Sequence, residues 1–297
     1  MKYIISLIAN PNRANLESSL VRELGSKWTG HDIRCLCEGV AAEFLVDSFP
    51  SDFDITWSTL NDLGIDLVIQ PNGIRKKKLL VADMDSTIIE QECLDELADI
   101  SGNGNRVKEI TKRAMNDELP FEDALRERVA LLRNESADLL DQTWHTRITF
   151  TPGARELVGT MRASGAYCAL VSGGFTHFTE RVSAALGFHE THANSLIIQN
   201  NVLTGDVGLP ILGKSTKLDV LTRLVNGLGL QFADALAVGD GANDLDMLLA
   251  SGMGVAFRSY PIVARQSKIR INHGDLTSLL YLQGFGQKDL VSYTENS

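Results

Sequence analysis

Three apolar segments of this chain each run directly into a turn rich in aspartate, serine or glycine, and a helical pattern follows each turn. The segments are KLLVADMDST, AYCALVSGGF and ALAVGDGAND. A short apolar strand followed by a turn and a helix is the repeating unit of a parallel sheet covered on both faces. Because such sheets bind ligands beyond the carboxyl ends of their strands, we expect the three turns to meet at one edge and form one site.

The first 74 residues predict a separate, smaller unit. They show strand and helix patterns in the order βαββαβ, beginning with YIISLIA and ending with IDLVIQ. This order predicts a small ferredoxin-like α+β domain over residues 1–74, followed by an α/β domain with a Rossmann-like parallel sheet over residues 75–297. The segment PNGIRKKK between them combines turn residues with four basic side chains. We interpret it as a solvated linker.

The stretch between the first and second apolar strands is too long for a simple crossover. Residues from about 93 to 148 are rich in helix formers and carry apolar side chains at helical spacing, as in LDELADI and FEDALRERVALL. We therefore predict a helical cap, inserted after the first strand of the parallel sheet and standing over the site.

The first two turns carry side chains suited to phosphate chemistry. Asp83 and Asp85 are two residues apart on an extended segment, so their carboxylates point the same way. An aspartate capping the next helix would explain only one of them. In the second turn, Ser172 and Gly173 offer a hydroxyl and an unobstructed N–H group to phosphate oxygens, although a glycine turn closing a strand would look the same.

The third turn adds oxygen ligands suited to a metal ion. It supplies Asp240 and Asp244 with Asn243 between them. Mg²⁺ prefers oxygen ligands and often uses one or two carboxylates together with substrate phosphate, so carboxylates from the first and third turns would meet its needs. Upstream, KSTKLDVL offers Lys214 and Lys217 as competing cations beside the phosphate, and either could instead lie on a solvated helix face.

The ordered series DMDST, SGG, lysine and GDGAND resembles the haloacid dehalogenase-like hydrolases, and more narrowly the phosphoserine phosphatases among them. The resemblance runs from about Leu79 through the carboxyl-terminal region and includes DMDSTIIEQE, ALRERV, VSGGFTHF, LTGDV and VGDGANDLDM. Four ordered motifs are far more specific than any one of them. The resemblance implies Mg²⁺-dependent hydrolysis of O-phosphoserine to serine and phosphate through an aspartyl-phosphate, the last step of serine biosynthesis.

The resemblance also implies a role for each matching residue. Asp83 would be the nucleophile, Asp85 the acid and base, and Lys217 rather than Lys214 the charge stabiliser. Magnesium would be held by the side chains of Asp83 and Asp240 and by the Asp85 carbonyl, with Asp244 nearby. The implied substrate-binding residues are Glu92, Arg128, Ser172, Gly173 and Asn243.

Two of these assignments concern the ends of an amino-acid substrate. The resemblance places Glu92 near the ammonium group and Arg128 near the carboxylate. The chemistry agrees, because arginine presents a planar fork that matches a carboxylate and glutamate offers only acceptors. An ordinary salt bridge within the cap is the alternative. Phe121 and Met115, in the same segment, are candidates either for walls of the pocket or for core packing.

Other functions retain part of this pattern. A related phosphatase or phosphotransferase acting on another small phosphomonoester would keep every core motif and differ in the cap. A dehalogenase needs neither an acid nor magnesium, so Asp85 argues against it. A regulatory amino-acid-binding protein would suit the first domain, which resembles ACT-type ligand-binding domains, but it would leave the DMDST turn unexplained.

Charge and hydropathy limit the partners and the location. The formal net charge of −10 disfavours broad contact with nucleic acid or anionic lipid. No apolar stretch approaches the roughly 20 residues that span a bilayer, and the start of the chain lacks the pattern of a signal peptide. We therefore expect a cytoplasmic protein that acts on a small molecule. A homodimer and an amino-acid effector at the first domain remain open.

Overall fold

The computed structural model describes residues 2–115 and 118–292, and no helix among them is long and apolar enough to cross a membrane. The strands, numbered along the chain, are β1 (Tyr3–Ala9), β2 (His31–Cys37), β3 (Ala41–Val46), β4 (Ile65–Pro71), β5 (Leu79–Ala82), β6 (Tyr167–Phe175), β7 (Glu190–Asn194), β8 (Leu196–Gln199), β9 (Val202–Val207), β10 (Ala235–Gly239), β11 (Met253–Phe257) and β12 (Ile269–Ile271). The helices are α1 (Ser18–Lys27), α2 (Phe53–Asp62), α3 (Cys93–Ile100), α4 (Gly104–Met115), α5 (Phe121–Ala130), α6 (Asp138–Arg147), α7 (Ala154–Ala163), α8 (Thr176–Leu186), α9 (Lys214–Gly227), α10 (Leu245–Ala250), α11 (Pro261–Gln266) and α12 (Ser278–Leu282).

The first domain has the predicted βαββαβ order. Its four strands form an antiparallel sheet in the order β2-β3-β1-β4, with β1 paired to both β3 and β4. One face of the sheet packs on α1 and α2, where Leu7 and Phe44 meet Leu24 and Leu60 in one buried cluster. The prediction of a small ferredoxin-like α+β domain is confirmed.

The opposite face of this sheet packs against the larger domain. Because side chains alternate along a strand, Ile8 and Val68 point away from α1 and α2 and join the main core cluster, which also contains Leu279 and Tyr281. Burial on both faces explains why YIISLIA and IDLVIQ are almost continuously apolar. The division at residues 74 and 75 stays a prediction, and the two parts share a buried interface.

Polar contacts reinforce that interface. The buried carboxylate of Asp66 accepts hydrogen bonds from three consecutive backbone N–H groups, those of Asn272, His273 and Gly274, with N to O distances of 2.8, 3.0 and 2.8 Å. Gln70 donates from Nε2 to the Leu282 carbonyl at 2.8 Å. Buried polar groups need such partners, so these contacts hold the two domains in one fixed arrangement.

The prediction of a solvated linker is wrong for Arg75. Its side chain is only 11% exposed, and its Nη1 lies 2.6 Å from Oε2 of Glu43, which is 1% exposed. The backbone N–H of Lys77 donates to Gln283 at 2.9 Å. A run of basic residues does not reveal that a buried carboxylate lies opposite one of them, so the sequence alone could not predict this contact.

The larger domain contains a six-stranded parallel sheet in the order β12-β11-β10-β5-β6-β7. The three strands predicted from the apolar segments are β5, β6 and β10, and β5 lies between the other two. All four residues of β5 are fully buried, as expected for a central parallel strand. The predicted Rossmann-like sheet is confirmed, and the three polar turns share one edge.

The predicted cap corresponds to α3–α6, which follow β5 in the chain. Two extended segments join it to the core: Glu90 N–H donates to the Thr149 carbonyl, and Thr151 N–H donates to the Ile88 carbonyl, both at 3.0 Å. A hairpin formed by β8 and β9 packs against α5 and was not predicted. Its turn is Asn200 and Asn201, whose φ angles of 52° and 62° lie in the left-handed region that asparagine tolerates.

Candidate active site

The carboxyl ends of β5, β6 and β10 bring the three predicted turns together. Asp83 follows β5 directly and its backbone N–H donates to the Val238 carbonyl of β10 at 3.0 Å. Asp240 follows β10, and Ser172 lies within the last four residues of β6, so the predicted second turn is the irregular carboxyl end of that strand. Asp83, Ser172 and Asp240 are all buried, at 5%, 2% and 6% exposure. The structure thus brings these three predicted residues to the same edge of the sheet.

A sharp turn after β5 sets the direction of Asp85. The next residue, Ser86, has φ 56° and ψ 5°, a left-handed conformation that costs energy for a residue other than glycine. The turn leaves the Asp85 carboxylate between the core and the cap. Ser172 donates from Oγ to Asp85 Oδ2 at 2.8 Å, and the backbone N–H of Cys93 in α3 donates to Asp85 Oδ1 at 2.9 Å.

Glycine at position 174 makes room for this arrangement. A Cβ atom there would lie 2.7 Å from Asp85 Oδ2 and 3.0 Å from Ser172 Oγ. The Gly174 N–H donates to Ser172 Oγ at 2.8 Å. The glycine pair of the second turn therefore lets the backbone approach both polar side chains closely.

Lys217, near the start of α9, is the cation at the centre of the site. It is 3% exposed, its Nζ lies 2.7 Å from Asp83 Oδ1, and it forms a second ion pair with Asp244. The competing candidate, Lys214, begins the same helix, but its side chain lies outside the described part of the structure. The geometry thus places the Lys217 ammonium directly beside the Asp83 carboxylate.

Carboxylate oxygens of Asp83, Asp240 and Asp244 all lie within 4.8 Å of one another. Burial, and then the negative charge of Asp244, raise the pKa of Asp83 well above its usual range and the pKa of Asp240 to about 7. Burial alone would lower the pKa of Lys217, but Asp244 and Asp83 outweigh it and raise that pKa overall. Three carboxylates around one ammonium leave an excess of negative charge, which suits a divalent cation with oxygen ligands.

Two contacts in the cluster of Asp83, Asp240 and Asp244 were not predicted from the sequence. Thr87, fully buried, donates from Oγ1 to Asp240 Oδ1 at 3.2 Å. Asp244 was expected only to lie nearby, yet it is completely buried and accepts from both Lys217 and the Gly241 N–H. Its position four residues after Asp240, at the start of α10, is the signal that pointed to it.

A small pocket opens beside Lys217. Phe121 of the cap forms one wall, and the side chain of Met115 lies outside the described residues. A Cβ atom on Gly173 would come within 3.3 Å of the Phe121 ring, so the second turn and the cap are close here. The lining residues are Phe121, Val171, Ser172, Gly173, Leu212, Gly213, Thr216, Lys217 and Asn243. Predicted phosphate contacts and the cap thus face the same space.

Glu92 lies at the start of the cap helix α3, beside the first turn. Ser86 donates from Oγ to Glu92 Oε1 at 2.6 Å. Part of the Glu92 side chain is accessible to solvent, but the surrounding protein displaces water from its carboxylate. This desolvation, and after it the negative charge of Asp85, raises the pKa of Glu92 to about 8. A carboxylate whose charge is disfavoured in this way is well placed to be stabilised by a cation.

Arg128 lies on the cap helix α5, within electrostatic reach of Asp95, Glu92 and Asp85. Its Nε donates to the Ala124 carbonyl at 3.2 Å, which leaves other N–H groups of the guanidinium for a further partner. Burial lowers the pKa of Arg128, opposed by the negative charges of Asp95, Glu92 and Asp85. Arg128 therefore lies close enough to Glu92 for the charge on each to affect the other, as two groups that bind opposite ends of one substrate would.

Asn194, at the end of β7, is a positioning residue that the sequence analysis missed. It is 2% exposed and donates from Nδ2 to the Gly173 carbonyl at 2.9 Å. Its Oδ1 accepts from the Leu212 N–H at 2.7 Å. One carboxamide therefore connects the second turn to the segment that leads into the Lys217 helix. The signal in the sequence was a polar residue ending another strand of the same sheet.

Replacing Asn194 with alanine is expected to lower kcat roughly 10- to 100-fold, because Gly173 and the loop before α9 would lose their shared partner, and small displacements of groups that position the substrate have effects of about this size. Asn194→Asp should also be impaired, since a carboxylate can accept from Leu212 but repels the Gly173 carbonyl. Steady-state kinetics on folded protein test this, with Asn226→Ala, an exposed asparagine of the helix α9, as the matched control. Unchanged kcat in Asn194→Ala would show that the bridge has no catalytic consequence.

Comparison with known proteins connects this geometry to one family. The family model described as haloacid dehalogenase-like hydrolase matches residues 80–249. The probable phosphoserine phosphatase of Schizosaccharomyces pombe is 36% identical over 98% of both chains. A solved HAD family hydrolase of Salmonella enterica serovar Typhi is 27% identical, with a TM-score of 0.84 over 95% of this chain and 98% of its own. A solved phospho-aspartyl intermediate analogue of phosphoserine phosphatase is 38% identical, with a TM-score of 0.65 over 69% of this chain and 98% of its own.

Proposed function

The chain belongs to the haloacid dehalogenase-like hydrolases, and from that premise we propose that it is a Mg²⁺-dependent phosphoserine phosphatase, hydrolysing O-phosphoserine to serine and phosphate as the last step of serine biosynthesis. The observation that carries the proposal is the contact of Asp83 with Lys217 at the sheet edge, beneath a cap that offers Glu92 and Arg128. The names of the similar phosphatases point the same way.

Magnesium fits the acidic cluster on chemical grounds. The side chains of Asp83 and Asp240 and the carbonyl of Asp85 would hold it, with Asp244 behind them. When bound, Mg²⁺ supplies positive charge that offsets charge on the phosphoryl oxygens. Burial, and after it repulsion from Asp244, raises the pKa of both Asp83 and Asp240, and a bound cation would offset both effects.

In the first half-reaction, the Asp83 carboxylate attacks phosphorus in line and the bond from phosphorus to the serine oxygen breaks. Serine alkoxide is a poor leaving group, so Asp85 gives its proton to the departing oxygen. Lys217 offsets negative charge on the transferring group, because its ammonium already lies beside Asp83. Serine leaves, and an aspartyl-phosphate remains on Asp83.

In the second half-reaction, Asp85 takes a proton from a water molecule, which attacks the same phosphorus. The bond from phosphorus to Asp83 breaks, and inorganic phosphate is released. Ser172, Gly173 and Asn243, which line the pocket beside Lys217, contact the phosphate in both steps. The hydrogen bonds from Ser172 and Cys93 hold the Asp85 carboxylate in position for both proton transfers.

A substrate panel tests this function. Phosphate release should be fastest from phosphoserine among small phosphomonoesters, and should be lost when Mg²⁺ is removed with a chelator and return when it is added back. A clear preference for another monoester would instead support a related phosphatase. Tight serine binding without phosphate release from any member of the panel would support an amino-acid-binding regulatory protein.

Arg128→Ala is expected to lower kcat/KM for phosphoserine at least about tenfold, because a charge-assisted hydrogen bond contributes roughly 1.5–3 kcal/mol. A small aryl phosphate has no carboxylate for Arg128 to hold, so its hydrolysis should change much less. Arg126→Ala, an exposed arginine of the same helix, is the matched control. Equal losses for both substrates would contradict the assignment of Arg128 to the substrate carboxylate.

A further inference from the structure

A second cavity, of about 300 Å³, lies between the small domain and the larger one. The small domain contributes Asn10, Arg13 and Gly64, and the larger domain contributes Arg258, Asn272 and His273. It is separate from the site at the sheet edge, since the two share no lining residue. Its walls consist of guanidinium, imidazole and carboxamide groups.

The cavity brings together two guanidinium groups and an imidazole, and the Asp275 carboxylate lies within electrostatic reach of one of them, Arg258. None of the described residues that line it carries a carboxylate, in a chain whose formal net charge is −10. Arg13 has no hydrogen-bond or ion-pair partner among the described residues, and Arg258 uses one nitrogen to reach the Gly274 carbonyl at 3.1 Å. The neighbouring carboxylate of Asp66 accepts from three backbone N–H groups, and among the described residues it forms no ion pair with either arginine.

The walls are fixed by contacts that cross between the domains. Asn10 donates from Nδ2 to the His273 carbonyl at 3.0 Å. Asn272 donates from Nδ2 to Asn61 Oδ1 at 2.9 Å. These contacts fix the carboxamide side of the cavity, whereas Arg13 is exposed and becomes ordered only when a ligand binds, at some cost in affinity.

We propose that this cavity binds a small oxyanion, a carboxylate or a phosphate, held between the guanidinium groups of Arg13 and Arg258. Guanidinium groups present planar pairs of N–H donors that match both kinds of anion. Because one arginine belongs to each domain, the bound anion bridges them.

A short stretch of backbone connects Arg258, in the wall of the cavity, to Asp240 at the carboxyl-terminal edge of the parallel sheet. Arg258 follows β11 with φ 44°, a left-handed conformation. Two residues later, the Tyr260 N–H donates to the carbonyl of Asp240 at 3.1 Å. A ligand that fixes Arg258 is therefore expected to alter the position of the Asp240 turn, and with it the kcat/KM of the enzyme.

Isothermal titration of the full chain with succinate and with inorganic phosphate tests the binding. Arg13→Gln and Arg258→Gln should each weaken succinate binding at least about tenfold, because each removes a charge-assisted contact. Arg22→Gln, an exposed arginine of α1 outside the cavity, should bind like the wild type. For phosphate, the variants should lose one of two binding events, since the catalytic site also takes phosphate.

Each outcome of the titration either supports or overturns the proposed anion site. Phosphate binding that is lost in Arg13→Gln, without succinate binding, would assign the cavity to phosphate, and succinate binding that is lost in Arg13→Gln, without a second phosphate event, would assign it to a carboxylate. Equal affinity in wild type and Arg13→Gln, or no binding of either anion, would overturn the proposal. If succinate changes kcat/KM in the wild type and not in Arg13→Gln, the connection from Arg258 to Asp240 is supported. If the wild type has the same kcat/KM with and without saturating succinate, that connection is refuted. The titration does not depend on which phosphomonoester the enzyme hydrolyses.

Discussion

Asp83→Asn is expected to reduce phosphatase activity to the background rate. The amide carries no full negative charge and is a poor nucleophile, so the covalent step cannot proceed. The substitution also removes one carboxylate of the cluster proposed to hold magnesium. Loss of both contributions makes this the largest effect that we predict for any single substitution in the chain.

The matched control is Asp219→Asn, the same chemical change on an exposed residue of α9, two positions from Lys217. It should retain wild-type kcat. Circular dichroism should show that Asp83→Asn is folded, because asparagine has nearly the volume of aspartate. Substantial turnover in purified Asp83→Asn would exclude Asp83 as the nucleophile.

Asp85→Asn is expected to lower kcat for phosphoserine by about 10²–10⁴-fold, the usual contribution of general acid and base catalysis, with little change in KM. Asparagine preserves the shape of the side chain and can still accept from the Cys93 N–H, but it cannot exchange a proton. The first turn should therefore keep its geometry while the reaction loses its acid and base.

A substrate with a better leaving group distinguishes the role of Asp85 as acid from its role as base. p-Nitrophenolate leaves without protonation, so Asp85→Asn should still transfer phosphate from p-nitrophenyl phosphate to Asp83. Rapid mixing should then show a burst of about one nitrophenol per enzyme followed by slow turnover, because the second step lacks its base. A normal steady rate with phosphoserine in Asp85→Asn would contradict the role of this residue.

The pattern of apolar segments was enough to predict the parallel sheet and the edge at which Asp83, Ser172 and Asp240 meet. Each segment ends in a polar turn, and parallel strands place their carboxyl ends on one side. The location of Lys217 required the resemblance to a family, because Lys214 lies on the same helix and local spacing could not exclude it.

The remaining features depend on contacts that are distant in the chain. Asp66 meets the backbone N–H groups of residues 272–274, and nothing in the local pattern around either segment indicates the other. Asn194 likewise shows its importance only when β7 lies beside β6 and the loop before α9. Periodicity predicts which elements form, whereas the partners of a buried polar group depend on how those elements pack.

The central claim is that phosphate passes through Asp83, and acid-quenched single-turnover digestion of the wild-type enzyme tests it most directly. Enzyme, Mg²⁺ and phosphoserine are mixed, quenched in acid within one turnover, and the peptides are mapped by mass spectrometry. The account predicts transient phosphate on the peptide containing Asp83, specifically on that side chain, and none in Asp83→Asn. Phosphate on Ser86, Ser172 or His177, or turnover in which no phosphopeptide forms at any time point, would contradict it.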